Sequence, residues 1–200
     1  MKLYSHPGSC SSAAHIALLE AGVPFEQIRI NLRGDRKLPD GRDFSEINPK
    51  GYVPVLELDS GECLSEVVAI LSYIADENPA AKLAPIDPLQ RVHMLEWLCY
   101  INSEVHKGCS TLFSPDMPDG VKQTAGERLA MRLDYIDNAL TGRDYLMGER
   151  FTVADAYLFI VLGWMPMLKF DLTPYKNFAA YRERIAGRAA VKDALAAIRA

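Results

Sequence analysis

No stretch of the chain is apolar for long enough to cross a bilayer as a helix. The N-terminus carries one lysine, followed by no apolar h-region and no small-residue cleavage site, so no secretory signal is expected. An excess of one charge is also missing. Lys and Arg number 22 against 26 Asp and Glu, for a formal net charge of −4, and no basic block alternates with aromatics. Nucleic acid and membrane are thereby excluded as main partners. Cysteine is scarce. The four stand at 10, 63, 99 and 109, with no C-x-x-C pair and no Cys/His group at zinc spacing. That points to reduced thiols, no metal and a cytoplasmic setting. There is no internal repeat and no low-complexity segment.

What the chain does have is apolar residues, 49% of its 200, enough to core one large domain or two small ones. Met1–Tyr4 reads as a strand. The loop Ser5-His6-Pro7-Gly8-Ser9 leads to Cys10 and a helix whose apolar face is Ala14, Ala17, Leu18 and Ala21, closed by Gly22. Cys10 therefore stands at a helix start, where unpaired N–H groups and the helix dipole favour a thiolate, its own or a ligand's. It is equally placed to be a small core residue, and position alone leaves both readings open. Residues 26–31 read as a second strand, completing a βαβ unit with parallel strands. Residues 32–43 read as a solvated loop, from which Arg36 or Lys37 has the length to reach a carboxylate.

A turn at Asn48-Pro49-Lys50-Gly51 precedes a strand, Tyr52–Leu58, that contains Pro54. Proline donates no ladder bond, so it demands an edge, a bulge or a cis bond. A hairpin at 59–61 returns through Glu62–Leu64, with Cys63 expected in the core, and Ser65 is placed to cap a helix over 66–76. Prolines at 79, 85 and 88 break the pattern, and everything after them reads as helix. The spacing predicts one long helix over 90–112, its core stripe Met94, Leu98, Ile101, Val105 and Leu112. A second stripe on it, Cys99, Ser103, His106 and Ser110, is small and polar; it suits solvated surface, a cleft or a subunit contact. A helix over 121–140 follows. Thr152 and Asp155 then form a capping-box signature opening a helix over 153–169 that is apolar nearly all round and hence central. Two closing helices are expected, over 174–186 and 189–199.

The motifs Pro7-Gly8-Ser9-Cys10-Ser11, Asn48-Pro49-Lys50-Gly51-Tyr52-Val53-Pro54, Ser103-Glu104-Val105-His106-Lys107-Gly108 and Phe151-Thr152-Val153-Ala154-Asp155 together resemble those of the bacterial beta-class glutathione transferases, over essentially the whole chain. The resemblance implies an α/β thioredoxin-like N-terminal domain over 1–78, a linker over 79–88 and an all-α helical domain over 89–200. It implies glutathione as co-substrate, with Cys10 at its sulfur, the main chain of Val53 pairing with its cysteinyl unit, and Pro54 cis. Glu66 matches the carboxylate that holds the γ-glutamyl amine. Ser11 and Val67 lie beside these groups, and Lys37, or Arg36, meets the glycine carboxylate. His106 and Lys107 match residues near the sulfur, and Ser103 and Glu104 match residues that reach the partner's site in a homodimer. Phe113, Trp164 and Leu168 are candidates to hold a small apolar electrophile. Cys99 stands where the class usually has Asn, Val67 where a small residue is common, and Leu19 where Arg is common. The expected catalytic pair is Cys10 and His106, and the expected activity is conjugation of the glutathione thiolate to electrophiles, as in detoxification. The alternatives are a glutathione-dependent reductase, peroxidase or dehalogenase, or a non-enzymatic binding protein of the same fold.

Overall fold

The strand β1 (Lys2–Ser5) sits inside a four-stranded sheet and carries the first unit of the chain. The computed structural model describes residues 1–199. They divide into two compact units, one of Met1–Ala84 with the chain from Arg188 onward, the other of Pro85–Gly187. In the first, α1 (Ser11–Ala21) crosses from β1 to β2 (Glu26–Arg29), which pairs parallel to β1. β3 (Val55–Glu57) pairs antiparallel on the other side of β1, and β4 (Cys63–Ser65) closes the hairpin at the edge, giving the order β2-β1-β3-β4. This is the thioredoxin-like arrangement, in which the βαβ half and the hairpin half share the central strand. α2 (Val67–Glu77) follows.

Burial on α1 exceeds one face: Ser11 to Leu18 are all buried. α1 packs against α2, β1 and α8 (Ala189–Arg199), so it is covered on several sides, which small residues such as Ala13, Ala14 and Ala17 permit. Gly22 ends it at φ 67°, its N–H bonding the carbonyls of Leu18 and Leu19, as the glycine predicts. Arg188, just before α8, forks onto Glu20 at 2.6 and 2.8 Å, and Arg29 donates to the Ala197 carbonyl. Two expectations for this unit are corrected. The loop at 32–43 is not wholly solvated: Leu38 buries with Tyr4, Ile30, Val53, Val55 and the adjoining Phe44 in a small apolar cluster. Cys63 is exposed rather than core, because β4 is an edge strand.

In the second unit, α3 (Pro88–Tyr100) is capped by Asp87, whose carboxylate accepts from the Gln90 N–H at 2.9 Å. Met94, Leu98, Ile101 and Val105 are buried as the stripe predicts, whereas Leu112, expected to continue it, is only half-buried near the end of the helix. The long helix is not uniform, however. Residues Ile101–His106 form a π-helical turn, with the Lys107 N–H reaching back to the Asn102 carbonyl, before α4 (Lys107–Phe113) resumes. Periodicity does not reveal this, because the buried residues Met94, Leu98, Ile101 and Val105 keep the spacing of an uninterrupted α-helix. α5 (Asp119–Ala139) turns Leu129, Leu133 and Ile136 inward. α6 (Val153–Leu162) is buried at all ten residues. It ends at Leu162, earlier than the sequence suggests, since Gly163 and Pro166 cannot extend it into Lys169. α7 (Phe178–Ala186) completes the unit. Among the described residues no helix is long and apolar enough to cross a membrane.

The start of α6 is set by Asp155, which is 0% exposed. Its carboxylate accepts from the Leu146 N–H and the Thr152 N–H, both at 2.8 Å, and from the hydroxyls of Thr152 and Tyr181, both at 3.0 Å. Burial nonetheless pushes its pKa up from 3.8 to about 6, because four neutral dipoles replace bulk water only in part. Asp155→Ala strands these donors and is expected to cost about 3 kcal/mol in denaturant unfolding, against about 1 kcal/mol for Thr152→Ala. The raised pKa fixes a sign: relative to Asp155→Asn, wild-type stability falls as pH rises from about 4 to about 6, a slope that paired unfolding curves measure.

Candidate active site

In the first unit three elements bring the predicted groups together. Cys10 is the N-cap of α1, and the turn that delivers it is held by the Ser9 N–H and hydroxyl on the His6 carbonyl, at 3.1 and 2.8 Å, with Gly8 at φ 74°. Ser11 is wholly buried and lies 2.7 Å from the Ser9 hydroxyl, so its side chain braces this turn. The Cys10 thiol is half-buried and lies 3.5 Å from the Val53 carbonyl. Val53 and Pro54 are joined by a cis peptide bond immediately before β3. The segment leading to them is tied by the buried Asn48, whose amide donates to the Tyr52 carbonyl at 2.8 Å.

At the head of α2 the structure departs from the cap read in the sequence. Ser65 ends β4, and Glu66 takes the N-cap position at φ 73°. That left-handed backbone costs a non-glycine residue about 1 kcal/mol or more, and such outliers cluster where ligands are held. The Glu66 side chain makes no capping bond. It accepts instead from the Lys50 ammonium at 2.7 Å. An ammonium on this carboxylate is what a ligand's α-amine would replace. Lys50 escaped the sequence reading; its place in the Asn48–Gly51 turn, next to the strand proline, was the available signal. Val67 turns into the core, 4% exposed, away from the exposed carboxylate beside it. Lys37 is exposed and lies 3.6 Å from Asp43, while Arg36 bonds the Leu32 carbonyl.

In the second unit His106 anchors a cluster of aromatic side chains. Its Nδ1 lies 2.6 Å from the Tyr157 hydroxyl, which also bonds Asn102 at 2.9 Å. The imidazole packs edge-on against Trp164 at 4.8 Å, and Trp164 against Phe113 at 6.0 Å. Burial, helped by the neighbouring Lys107 charge, lowers the His106 pKa from 6.5 to about 4. His106 is therefore a neutral imidazole at physiological pH, able to donate from one nitrogen and accept at the other. Glu104 forks onto Arg132, with Oε2 2.8 Å from both Nε and Nη2. Ser103 bonds the Cys99 carbonyl at 3.0 Å, and Cys99, Ser103 and Lys107 are exposed. Leu168 is half-buried in the turns beyond α6. Cys109, one turn from His106, is an inert core thiol, its pKa pushed up to about 12 by burial.

Residues 1–76 match the model of the glutathione S-transferase N-terminal domain, and residues 91–189 that of the glutathione S-transferase C-terminal domain. The chain belongs to the glutathione S-transferase family. It is 44% identical over 198 residues to glutathione S-transferase GstA of Escherichia coli O157:H7, covering 98% of each chain. A sphingomonad glutathione S-transferase solved in complex with glutathione is 46% identical, with a TM-score of 0.95 over 100% of this chain and 99% of that one. A bacterial beta-class glutathione S-transferase from Sphingomonas chungbukensis is 44% identical, with a TM-score of 0.93 over 99% and 98% of the two chains.

In this transferase the sequence motifs thus fall into two local constellations. Cys10, Ser11, Val53 and Pro54 meet around the start of α1, with Glu66 at the start of α2. His106, Trp164 and Phe113 meet on the helical unit, together with Tyr157 and Asn102, which the sequence reading missed. Tyr157 looks in sequence like one more apolar-face residue of a buried helix, and only its phenol marks it. Among the described residues no cluster of His, Cys, Asp and Glu is arranged to hold a metal. The lowered His106 pKa has a measurable consequence. NMR titration should place its midpoint below pH 5, and acidification from pH 6.5 to 4 should destabilise the wild type more than His106→Gln, because the unfolded ring binds the proton first.

Proposed function

We propose that the chain conjugates glutathione to small, mostly apolar electrophiles, and that its two constellations serve the two substrates. The observation that carries this reading is the juxtaposition of the Cys10 thiol with the Val53 carbonyl ahead of cis-Pro54. On this reading glutathione adds its cysteinyl unit to the main chain of Val53 like a further strand, which brings its sulfur to Cys10. Its γ-glutamyl amine takes the place of the Lys50 ammonium on Glu66, and its γ-glutamyl carboxylate meets the first N–H groups of α2, beside Val67. Lys37, whose partner Asp43 is weakly held at 3.6 Å, is better disposed than Arg36 to take the glycine carboxylate. Free glutathione is mostly thiol at neutral pH, with a pKa near 8.5. The helix-start dipole and a hydrogen bond from the Cys10 thiol favour the thiolate, and the neutral imidazole of His106 serves the same sulfur as a hydrogen-bond partner. The thiolate then forms its S–C bond while the electrophile's leaving group departs with the bonding pair. Phe113, Trp164 and Leu168 hold the electrophile. In a homodimer, Ser103 and Glu104 reach the partner's glutathione, with Arg132 fixing the Glu104 carboxylate and Cys99 beside them, while Lys107 lies with His106 near the sulfur.

A second activity follows from position 10 being cysteine. The Cys10 thiolate attacks the glutathione-side sulfur of a mixed disulfide between glutathione and another thiol, breaking its S–S bond, forming a Cys10–glutathione disulfide and releasing the other thiolate. A free glutathione thiolate then attacks that disulfide, restoring the Cys10 thiolate and releasing oxidised glutathione. Two variants test these assignments. Glu66→Gln is expected to weaken glutathione binding by about 2 kcal/mol, roughly thirtyfold, in calorimetric titration, since a charge-assisted bond is lost. Cys10→Ala is expected to lose exchange with a disulfide substrate and to keep conjugation of an aryl halide. Conjugation lost with exchange retained would reverse the assignment. A protein neither bound nor thermally stabilised by glutathione would be a binding module on this fold instead.

A further inference from the structure

Tyr157 is wholly buried, and its hydroxyl bonds two side chains that one π-helical turn presents to it. The Asn102 carbonyl oxygen lies at 2.9 Å and His106 Nδ1 at 2.6 Å. A phenol has one proton, and a side-chain carbonyl oxygen only accepts. The proton therefore goes to Asn102, and the Tyr157 oxygen must accept from His106. Nδ1 then carries the imidazole hydrogen. The ring is neutral, so Nε2 carries a lone pair and no proton. The edge-on packing against Trp164, at 66°, and Tyr157, at 89°, fixes the plane in which that lone pair lies.

We infer that Asn102 and Tyr157 are positioning residues that lock His106 in its Nδ1–H tautomer, so that Nε2 presents a hydrogen-bond acceptor to the reacting thiol. The inference rests on the reading of His106 as a group that serves the glutathione sulfur. It makes the histidine an acceptor from the thiol, the arrangement suited to drawing off its proton, and not a donor to a thiolate already formed. Both partners of the phenol, Asn102 and His106, lie four residues apart within the single π-helical turn.

The test is the tautomer itself, read from the ring-nitrogen chemical shifts of protein labelled with 15N histidine. The protein has four histidines, and a His106→Gln variant assigns the signal. In the wild type at pH 7, Nδ1 should show the shift of a protonated nitrogen and Nε2 that of a bare one. This is the reverse of the tautomer favoured by histidine in water. Tyr157→Phe and Asn102→Leu should both lose that signature, whereas Asn102→Asp, which keeps an acceptor oxygen, should retain it. For aryl halide conjugation, the first two variants should lower kcat about tenfold with little change in the KM for glutathione. A wild-type ring protonated at Nε2 overturns the inference without recourse to any variant. So does an Nδ1–H signature that survives in both Tyr157→Phe and Asn102→Leu. If the signature moves as expected and conjugation is unaffected, the lock stands and the role proposed for His106 at the sulfur falls.

Discussion

Asp155 brings a carboxylate into the centre of the helical unit, and much of that unit is arranged around it. Its oxygens collect donors from the Leu146 main chain, from the Thr152 turn and from Tyr181 on α7. One side chain thus fixes where α6 begins, where the segment after α5 ends, and how α7 lies against both. A buried charge without these partners would not be tolerated, so the three segments are coupled through it. The consequence reaches the chemistry two residues further on. Tyr157 belongs to the same first turn and a half of α6, and it carries the phenol that holds His106 and Asn102. The capping signature that opens α6 therefore also places the aromatic cluster.

The N-terminal unit follows a different economy. Its groups are backbone ends and turn residues held by the sheet. α1 and α2 both begin at positions where the cap side chain makes no capping bond, Cys10 and Glu66. At α1 the Ser11 N–H bonds the Ser9 hydroxyl at 3.2 Å and the Ser12 N–H the Ser9 carbonyl at 3.0 Å, so it is the helix dipole, rather than these N–H groups, that favours an anion there. Glu66 accepts a left-handed backbone to stand at the start of α2. The turn ahead of α1 is held by Ser9 and His6 together with Ser11, the first residue of the helix. Much of the burial in this unit comes from α1 and from the cluster around Phe44, away from the side chains of Cys10 and Glu66.

Particular residues show what was legible. Gly22 announced the end of α1, and Thr152 with Asp155 announced the start of α6; both are local devices whose residue types have few other uses. Pro54 announced an irregular strand, and the structure resolves it as a cis bond ahead of a β3 shorter than the apolar run around it. The same local logic failed at Ser65, where β4 outcompeted the cap, and at Cys63, whose fate depended on which strand became the sheet edge. It failed at the π turn because the buried positions Met94, Leu98, Ile101 and Val105 keep ordinary α-helical spacing. Leu38 and Phe44 were hidden for the opposite reason: two apolar residues in and just after a charged loop carry no period, yet they had a cluster to join.

The sequence by itself determined the order of elements, the caps that punctuate them, the family, and the residue types at the two helix starts, because these depend on neighbours a few positions apart. Tertiary structure decided which polar side chains meet. Lys50 on Glu66, Arg132 on Glu104, and Tyr157 between Asn102 and His106 join residues from 16 to 55 positions apart. Such pairings are set by how packed elements bring their faces together, and a one-dimensional pattern does not encode them. The protonation of His106 belongs to that second kind. Its pKa is lowered by burial and its tautomer is set by a phenol on another helix.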